Sequence, residues 1–389
     1  MSDSGTDQRT VAAEPNDDDP LSPADLAARV ATLVGDDARI QGGELPLWGR
    51  LSKPRRRPAW RSRLLPVLAW WATLGLLVVA VLRMFCHDAT VPLTWLNAFT
   101  LYLYLPAYLV LVFAAWTGRW WLATASAAVV ACHLTWVLPD FRLATPYVPP
   151  VAAEASSPRP LKIFYANVRG GNNYNMDSVL AEALHGDPDV IVIAEMQRWW
   201  WHEMIDKNPL KTYPYGTNLQ YRNAGDIGVF SRLPVERMEQ ILVDNRTSLV
   251  VDVSLGTETL RLFALHSPRP MRQMKDDYYK FWQKLEPILA EQRGPVVAIG
   301  DFNATQHSLV YEQLTADGLR SAHEDRGRGY VTTWPNGKQP IPPIRIDQAF
   351  LSPEVECVLI AEGVGPGSDH KPLILDIRVH ASAPASTAR

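Results

Sequence analysis

Three long apolar stretches in the first 140 residues constrain this chain more than any other feature of its sequence. They run over Leu64–Leu82, Pro92–Trp116 and Trp120–Leu138, and none of them carries an acidic or basic side chain inside. Each is long enough to cross a hydrocarbon core of ~30 Å as a helix. Amphipathic helices of a soluble domain would show a polar stripe, which these stretches lack. The sequence therefore predicts three transmembrane helices over residues 64–138, with the middle one kinked at Pro106.

The residues before these stretches predict how the chain is oriented in the membrane. Residues 1–63 hold ten acidic and ten basic side chains and few apolar ones, which predicts a mostly disordered tail. Its last part is rich in Arg, a pattern typical of nucleic-acid binding or of a membrane-flanking anchor. Because an apolar stretch follows directly, the anchor is favoured. Such segments stay in the cytoplasm, so three crossings place the chain outside after Leu138, although Arg83 argues the other way.

Residues 139–160 are rich in Pro, Ala and Ser and predict a semi-extended linker that lifts the following domain off the bilayer. Residues 381–389 predict a short disordered tail. The three cysteines, Cys86, Cys132 and Cys357, support no disulfide framework.

Residues 161–380 alternate short apolar runs with loops and a few helical patterns, which predicts one sizeable α/β domain. The predicted strands are Leu161–Ala166, Val190–Ala194, Ile227–Ser231, Ser248–Ser254, Leu260–Leu265, Pro295–Ile299, Ile346–Leu351 and Pro372–Val379. The predicted helices are Met176–His185, Met271 to about Glu286, ending before Pro287, and Ser308–Ala316.

Polar residues recur where these strands end, and this recurrence favours a functional site over isolated turn residues. They are Asn167, Glu195, His266, Asp301, Asn303, Asp347, Asp369 and His370. Taken alone, Asn167 is also explained as a strand-end turn residue, and Asp347 as a salt-bridge partner of Arg345. Ligands of open α/β sheets bind at the carboxyl ends of strands, so we expect these side chains to converge.

The ordered set Asn167, Glu195, Ala264-Leu265-His266-Ser267, Gly300-Asp301-Phe302-Asn303, Arg345-Ile346-Asp347 and Ser368-Asp369-His370-Lys371-Pro372 resembles the endonuclease/exonuclease/phosphatase superfamily. The resemblance covers residues 161–380, a little over half of the chain. It implies a DNase I-like four-layer sandwich, in which two mixed β-sheets are flanked by helices. It also implies hydrolysis of a phosphoester bond that depends on a divalent metal.

The resemblance further implies a role for each polar residue. Glu195, with Asn167 and Asp369, would offer hard oxygen ligands to Mg²⁺ or Mn²⁺. Asp301 would orient or deprotonate the attacking water, and Asn303 would hydrogen-bond a phosphoryl oxygen. Two histidines, His266 and His370, would face the phosphate, and Asp347 would orient the imidazole of His370. Family nucleases pair the first of these histidines with a further group, for which Asp226 and Tyr221 are candidates by position only.

Two further stretches are candidates for contacting substrate. Arg198-Trp199-Trp200-Trp201 follows Glu195, so that Trp199 could stack on substrate, dip into lipid headgroups or simply cover the sheet. Residues 330–343 predict a long ordered loop that carries Trp334, in a position where the family varies with substrate.

The net charge of the predicted α/β domain disfavours one class of function. Residues 161–380 hold 23 basic and 28 acidic side chains, a net charge of −5, which disfavours a DNA-repair nuclease. The leading hypothesis is a membrane-anchored, extracytoplasmic phosphodiesterase acting on nucleic acid or a lipid headgroup, with no obligate protein partner. The alternatives are a phosphomonoesterase acting on sugar or inositol phosphates, and a binding ectodomain without catalysis. Transport by the helices is disfavoured because they carry no paired charges.

Overall fold

The computed structural model describes Ala24, residues 59–149, 159–169, 176–197, Trp200, and residues 210–217, 227–243, 246–271 and 275–380. Its contacts divide the chain into Met1–Arg63 and Leu64–Arg389. The second of these units contains both the apolar helices and the α/β domain.

The amino-terminal part of this unit is helical. Its elements are α1 (Ala59–Cys86), α2 (Val91–Ala98), α3 (Thr100–Leu103), α4 (Leu105–Trp116), α5 (Trp120–Val137) and a 3-10 helix (Leu138–Phe141). Within the described residues, Leu64–Cys86 and Trp120–Phe141 are each long and apolar enough to cross a membrane, and the bent segment from Val91 to Trp116 is a third candidate. Two or three membrane helices are therefore consistent with the expected anchor.

The middle segment differs from its prediction as one continuous helix kinked at Pro106. It bends by 74° between Ala98 and Thr100, ahead of the proline. Pro106 instead lies in the first turn of α4, where a missing backbone N–H breaks no helical hydrogen bond. Polar contacts of α2 hold it against the α/β domain, as Trp95 Nε1 donates to Pro270 O at 2.8 Å. Contact with that domain continues after the bend, where Tyr102 Oη donates to Pro343 O at 2.7 Å.

The α/β domain consists of two six-stranded sheets. Its strands are β1 (Leu161–Asn167), β2 (Val190–Ala194), β3 (Tyr215–Gly216), β4 (Gly228–Ser231), β5 (Val235–Val243), β6 (Arg246–Ser254), β7 (Thr259–His266), β8 (Val296–Asp301), β9 (Arg320–Ser321), β10 (Asp347–Leu351), β11 (Val355–Glu362) and β12 (Leu373–Val379). The first sheet has the order β11-β12-β1-β2-β4-β3 and the second β5-β6-β7-β8-β10-β9. Both are mixed, because β1 pairs with β2 and β7 with β8 in parallel while the other pairs are antiparallel.

The domain helices are α6 (Met176–His185), α7 (Lys275–Ala290), α8 (Leu309–Ala316) and α9 (Ala322–Asp325). The facing sheets bury one apolar core between them, to which Val192 and Ile299 belong. Leu180 of α6 packs in a second cluster on the outer face of the first sheet. Phe281 of α7 and Leu314 of α8 cover the second sheet in the same way. This confirms the predicted four-layer sandwich of two mixed sheets flanked by helices.

Two full-length strands, β5 and β11, were not predicted from the sequence. Each lies at the edge of its sheet, and β5 mixes charged residues such as Glu236 and Glu239 with apolar ones. Edge strands carry such charges because one side of the strand faces solvent. The short strands β3 and β9, of two residues each, gave no pattern to detect.

Helix α7 continues past the point where it was predicted to end. Pro287 lies inside the helix, which extends to Ala290. The proline ring removes one hydrogen bond close to the carboxyl end, and both Pro287 and Gln283, whose carbonyl would have received that bond, are solvent-accessible. Water can therefore satisfy the freed carbonyl.

The first half of the proposed linker lies along the domain instead of standing free. The Asp140 carboxylate lies 3.2 Å from His307 Nε2, and Thr145 N donates to Asp325 O at 3.0 Å. Tyr147 stacks on His380 with ring centroids 4.9 Å apart. Residues 150–158 lie outside the described part of the chain.

Candidate active site

Strand pairing brings the predicted site residues to one edge of the sandwich. Asn167 ends β1 opposite Ala194, so that Glu195 follows at the next position of the neighbouring strand. In the second sheet His266 is paired with Asp301, and Asp301 with Asp347. Because β10 runs antiparallel to β8, its first residue meets the last residue of that strand. Both sheets thus contribute side chains to the same end.

The backbone around the site is unusually constrained. A Cβ at Gly300 would lie 2.0 Å from Leu265 O, so the close approach of β7 and β8 requires glycine there. Glu195 and Asn303 have φ angles of 59° and 46°, values that residues other than glycine seldom adopt. Such strained positions cluster at functional sites, where the surrounding structure holds a side chain in one direction.

Asn167 joins the two sheets through its amide group. Its Nδ2 donates to Glu195 Oε1 and to Asp301 Oδ2, each at 3.2 Å. Its Oδ1 accepts a hydrogen bond from Arg169 N at 2.9 Å. The residue therefore caps the turn after β1, and its amide nitrogen contacts two carboxylates of the cluster, while its predicted part as an oxygen ligand of a metal stays a prediction.

His370 is held from two sides. Its Nδ1 lies 2.9 Å from Asp347 Oδ2, and its backbone N–H donates to Ser368 Oγ at 3.0 Å. Ser368 Oγ in turn donates to Asn167 O at 2.6 Å. The alternative partner of Asp347, Arg345, instead donates from Nη1 to Arg328 O at 3.3 Å. The predicted pairing of Asp347 with His370 is thus present in the geometry.

Asn303 is oriented by its own loop. Its backbone N–H donates to Asp301 Oδ1 at 2.9 Å, and its Nδ2 donates to Ser267 O at 3.0 Å. These contacts fix the amide beside the Asp301 carboxylate. An amide held in this way can present a hydrogen-bond donor to an anionic oxygen without reorganising.

The surroundings of two groups in the site, a carboxyl group and an imidazole, raise their pKa values. Burial and the nearby Asp347 carboxylate raise the pKa of Asp301 to about 6, against the opposing effect of His370 and His266. Burial would lower the pKa of His370, but the Asp347 carboxylate outweighs it and raises that pKa to about 9. The site thus pairs a carboxylate of increased basicity with an imidazolium that is retained at neutral pH.

The donor set fits a divalent cation. Oxygen and nitrogen atoms of Glu195, His266 and Asp301 lie within 4.8 Å of one another, as do those of Asp301, Asp347 and His370. Asp369, the third predicted ligand, accepts from Trp334 Nε1 at 3.2 Å through Oδ2. Its Oδ1 is buried with no hydrogen-bond partner among the described residues, as is expected of an oxygen that a cation would satisfy. Carboxylates in this arrangement suit a hard metal ion.

The structure shows two carboxylates near His266 but not the partner that was predicted for it. Its Nε2 lies 3.6 Å from Glu195 Oε1 and 4.0 Å from Asp301 Oδ2. The two suggested partners, Tyr221 and Asp226, lie outside the described residues, so their pairing stays a prediction.

Of the two tryptophans predicted to contact substrate, the structure describes only Trp334. Trp199 also lies outside the described part of the chain. Trp334 lies next to the site, in the wall of a cavity of about 190 Å³ that also touches Asn303 and His370.

Two features of the site were not found from the sequence. Arg269, three residues after His266, places its Nη2 3.1 Å from Glu195 Oε1. An isolated Arg in a loop has no signature that separates it from a surface charge. The second feature is the apolar segment before the α/β domain: Thr94, Trp95 and Ala98 of α2 form part of the wall of the same cavity.

The fold and the site define an enzyme. Its buried carboxylates and histidines meet at the end of the sandwich to which both sheets contribute strand ends. A sequence profile of the Endonuclease/Exonuclease/phosphatase family matches residues 164–370, just over half of the chain. The chain therefore belongs to this family and is a metal-dependent phosphoester hydrolase.

Several solved structures are similar to this chain over a little more than half of its length. D. rerio TDP2 complexed with single strand DNA product is 19% identical, covers 56% of this chain and 98% of its own, and has a TM-score of 0.45. A family protein from Bacteroides thetaiotaomicron is 17% identical, with 57% and 99% covered and a TM-score of 0.42. Sphingomyelinase C from Streptomyces griseocarneus is 16% identical, with 56% and 99% covered and a TM-score of 0.43. No curated protein matches the sequence significantly.

Proposed function

We propose that this protein is a membrane-anchored phosphodiesterase that depends on Mg²⁺ or Mn²⁺ and works outside the cytoplasm. The observation that supports it most is the buried cluster in which Asn167 contacts both Glu195 and Asp301 while Asp347 holds His370. Cleavage of a phosphoester needs charge neutralisation, an activated water and assistance to the leaving oxygen. This cluster supplies groups for each.

Glu195, Asn167 and Asp369 would hold the metal ion, which neutralises phosphoryl charge when it is bound. The orphaned Oδ1 of Asp369 supports its part in this set. Glu195 already interacts with Arg269, a half-exposed cation, so the ligand set lies next to a second positive group that can face a phosphate.

Asp301 would take a proton from the attacking water, whose oxygen then bonds to phosphorus. The bond from phosphorus to the leaving oxygen breaks, and that oxygen takes a proton from solvent water as it leaves as an alcohol, while Asp301 returns its proton to solvent. The products are one alcohol and one phosphomonoester for each water consumed. Asn303, His266 and the imidazolium of His370 would donate hydrogen bonds to the phosphoryl oxygens, where negative charge builds up.

The contacts between the helices and the α/β domain support the proposed orientation. Arg83, near the carboxyl end of α1, donates from Nη1 to His307 O at 3.1 Å, and Asp140, after α5, accepts from Gln306 Nε2 at 3.1 Å. The domain therefore lies at the carboxyl end of α1, whereas the Arg-rich tail precedes its amino end. Since Arg-rich flanks stay in the cytoplasm, the domain would lie outside. Arg83 is buried in this contact, so its charge is not a flanking signal.

A substrate panel tests the activity. The full-length protein in lipid nanodiscs, with Mg²⁺, is assayed in parallel on plasmid DNA, RNA, phospholipids and small phosphomonoesters. We expect hydrolysis of a phosphodiester that stops with EDTA. Hydrolysis of sugar or inositol monophosphates alone would favour the phosphomonoesterase alternative, and binding without turnover would favour a non-catalytic ectodomain.

Thiol labelling of the full chain tests the orientation separately. In a Cys86→Ser background, a cysteine replaces either Lys338 in an exposed loop of the domain or Thr117 in the turn after α4. In intact spheroplasts a membrane-impermeant maleimide should label the first variant and not the second. The reverse pattern would contradict an extracytoplasmic domain.

A further inference from the structure

One cavity connects the catalytic residues with the membrane segment. It has a volume of about 190 Å³, and the catalytic candidates Asn303 and His370 line it. Thr94, Trp95 and Ala98 of α2 line the same cavity. Most of the remaining lining is apolar, with Pro270, Met271, Ala304, Trp334, Ile344 and Ile346. A cavity built only for a phosphate would be lined mainly by polar groups, whereas this one is mostly apolar.

Helix α2 is fixed as a wall of this cavity by polar contacts with the α/β domain. Trp95 Nε1 donates to Pro270 O at 2.8 Å, and Thr94 Oγ1 lies 3.0 Å from Tyr279 Oη. Tyr279 Oη also donates to Asp88 O at 2.8 Å, just before α2 begins. The helix therefore has a set position next to the active site, although the family resemblance begins only after it.

The same helix leads directly into the surface that faces lipid. After the 74° bend at Phe99 the chain continues into α4, whose outward side is apolar. Leu109, Val112 and Trp116 are 75%, 68% and 86% exposed there. Large apolar side chains on the exposed face of a helix that packs beside two helices long enough to span a membrane mark contact with hydrocarbon. The segment that lines the cavity thus continues into this apolar surface.

We infer that the substrate is a membrane lipid with a phosphodiester headgroup, and that α2 completes its binding site. The phosphodiester would lie at Asn303 and His370, and the first part of the acyl chains would pack against Trp95 and Ala98. The lipid would reach the site from the bilayer without leaving it completely. This inference rests on the proposed phosphodiesterase activity, and it narrows the two proposed substrate classes to lipid.

The net charge of the domain agrees with this choice. Residues 161–380 carry a net charge of −5, whereas binding of nucleic acid depends on Lys and Arg neutralising several phosphates. A single headgroup phosphate needs far fewer cations. Arg269, which also lines the cavity, together with the metal would supply them.

Matched substrates and variants test the inference in full-length protein reconstituted with Mg²⁺. The substrates are vesicles of phosphatidylcholine, phosphatidylethanolamine, phosphatidylglycerol or sphingomyelin. Each glycerophospholipid is compared with its deacylated counterpart, which keeps the phosphodiester and lacks acyl chains. Bis(p-nitrophenyl) phosphate reports on the catalytic groups alone, and single-stranded DNA represents the other class.

Two variants obstruct the apolar part of the cavity. Ala98→Trp fills it, and its control Ala115→Trp makes the same change on the exposed side of α4. Met271→Asp places a charge in the cavity wall at a residue that is 43% exposed, so folding is little affected. Its control is Leu242→Asp, at a residue that is 69% exposed on the edge strand β5.

The expected result is that wild-type protein hydrolyses at least one lipid much faster than the deacylated counterparts. Ala98→Trp and Met271→Asp should lower kcat/KM for that lipid at least about tenfold, as blocking of an apolar pocket does. Both should lower kcat/KM for bis(p-nitrophenyl) phosphate much less than for the lipid, and the two control variants should match the wild type on every substrate.

Three results would overturn the inference while leaving the phosphodiesterase proposal intact. These are faster hydrolysis of single-stranded DNA than of any lipid, equal rates on a lipid and its deacylated counterpart, or equal losses on lipid and on bis(p-nitrophenyl) phosphate in both cavity variants. Wild-type protein that hydrolyses no phosphodiester at all would instead refute the proposed function itself.

Discussion

His370 Nδ1 lies 2.9 Å from Asp347 Oδ2, so the loop before β12 is tied to the first residue of β10. A carboxylate in this position sets the tautomer and direction of the imidazole and stabilises its protonated form. We therefore expect Asp347→Asn to lower kcat by about 10- to 100-fold. The measurement is steady-state hydrolysis of a phosphodiester by the reconstituted protein.

A double variant of the same pair distinguishes a role of Asp347 through His370 from a merely structural role. If Asp347 acts through His370, the double variant Asp347→Asn/His370→Ala should be no slower than His370→Ala alone. Losses that multiply in the double variant would show that the two residues act independently.

Asp301 is fully buried, and its raised pKa reflects the cost of keeping a charge there. Asp301→Asn keeps the shape and removes the base, so activity should fall by about 10²- to 10⁴-fold. Because the substitution also removes a poorly solvated carboxylate, the thermal unfolding temperature should be equal to or above that of wild type. Unfolding temperature and turnover are measured on the same preparation. Retention of more than half of the activity would remove Asp301 from the mechanism.

Hydrolysis should require a divalent metal ion that Glu195 helps to bind. EDTA should abolish hydrolysis, and Mg²⁺ or Mn²⁺ should restore it. Glu195→Gln should weaken Mn²⁺ binding by at least about tenfold, as measured by electron paramagnetic resonance of the free ion, independently of turnover. Glu182→Gln, at a carboxylate on α6 that bonds the backbone of Val364 and Gly365, serves as a control outside the cluster. Equal Mn²⁺ affinity in the wild type and Glu195→Gln would contradict the ligand assignment.

The contact between the helices and the α/β domain should depend on pH through His87. Burial alone would lower the pKa of His87, but hydrogen bonds to Asp88 and Glu312 outweigh it and raise the pKa to about 9. A raised pKa means that the protonated form stabilises the fold below the ordinary value of 6.5 and that this stabilisation is lost as the pH rises through about 9. His87→Gln should therefore lower the unfolding temperature below pH 6.5 and have little effect above pH 9. A difference that is constant with pH would exclude this role.

Much of the catalytic part could be predicted because its signals are local. Buried strands such as β2 and β8 begin as continuous apolar runs, and polar residues that follow such runs, Glu195 among them, mark the edge where ligands bind. The family motifs then assign an order to those residues. The edge strands β5 and β11 were missed because their exposed side carries charges, which weakens the apolar pattern.

The relation between the apolar amino-terminal helices and the active site could not be predicted in the same way. Nothing in the local pattern of Pro92–Trp116 shows that Trp95 will bond to Pro270, 175 residues later. The bend of 74° lies at Phe99, whereas the proline that suggested a kink lies in a helical first turn. The cavity wall is likewise a tertiary feature made from distant parts of the chain.

The most direct test of the central claim is hydrolysis in water labelled with oxygen-18. Full-length protein in lipid vesicles with Mg²⁺ is incubated with its phosphodiester substrate, and the phosphomonoester product is analysed by mass spectrometry. A water-activating Asp301 in a metal-dependent site predicts one labelled oxygen in the phosphomonoester, no product with EDTA, and almost none from Asp301→Asn. Unlabelled product, or equal product from wild type and Asp301→Asn in the presence of EDTA, would contradict it.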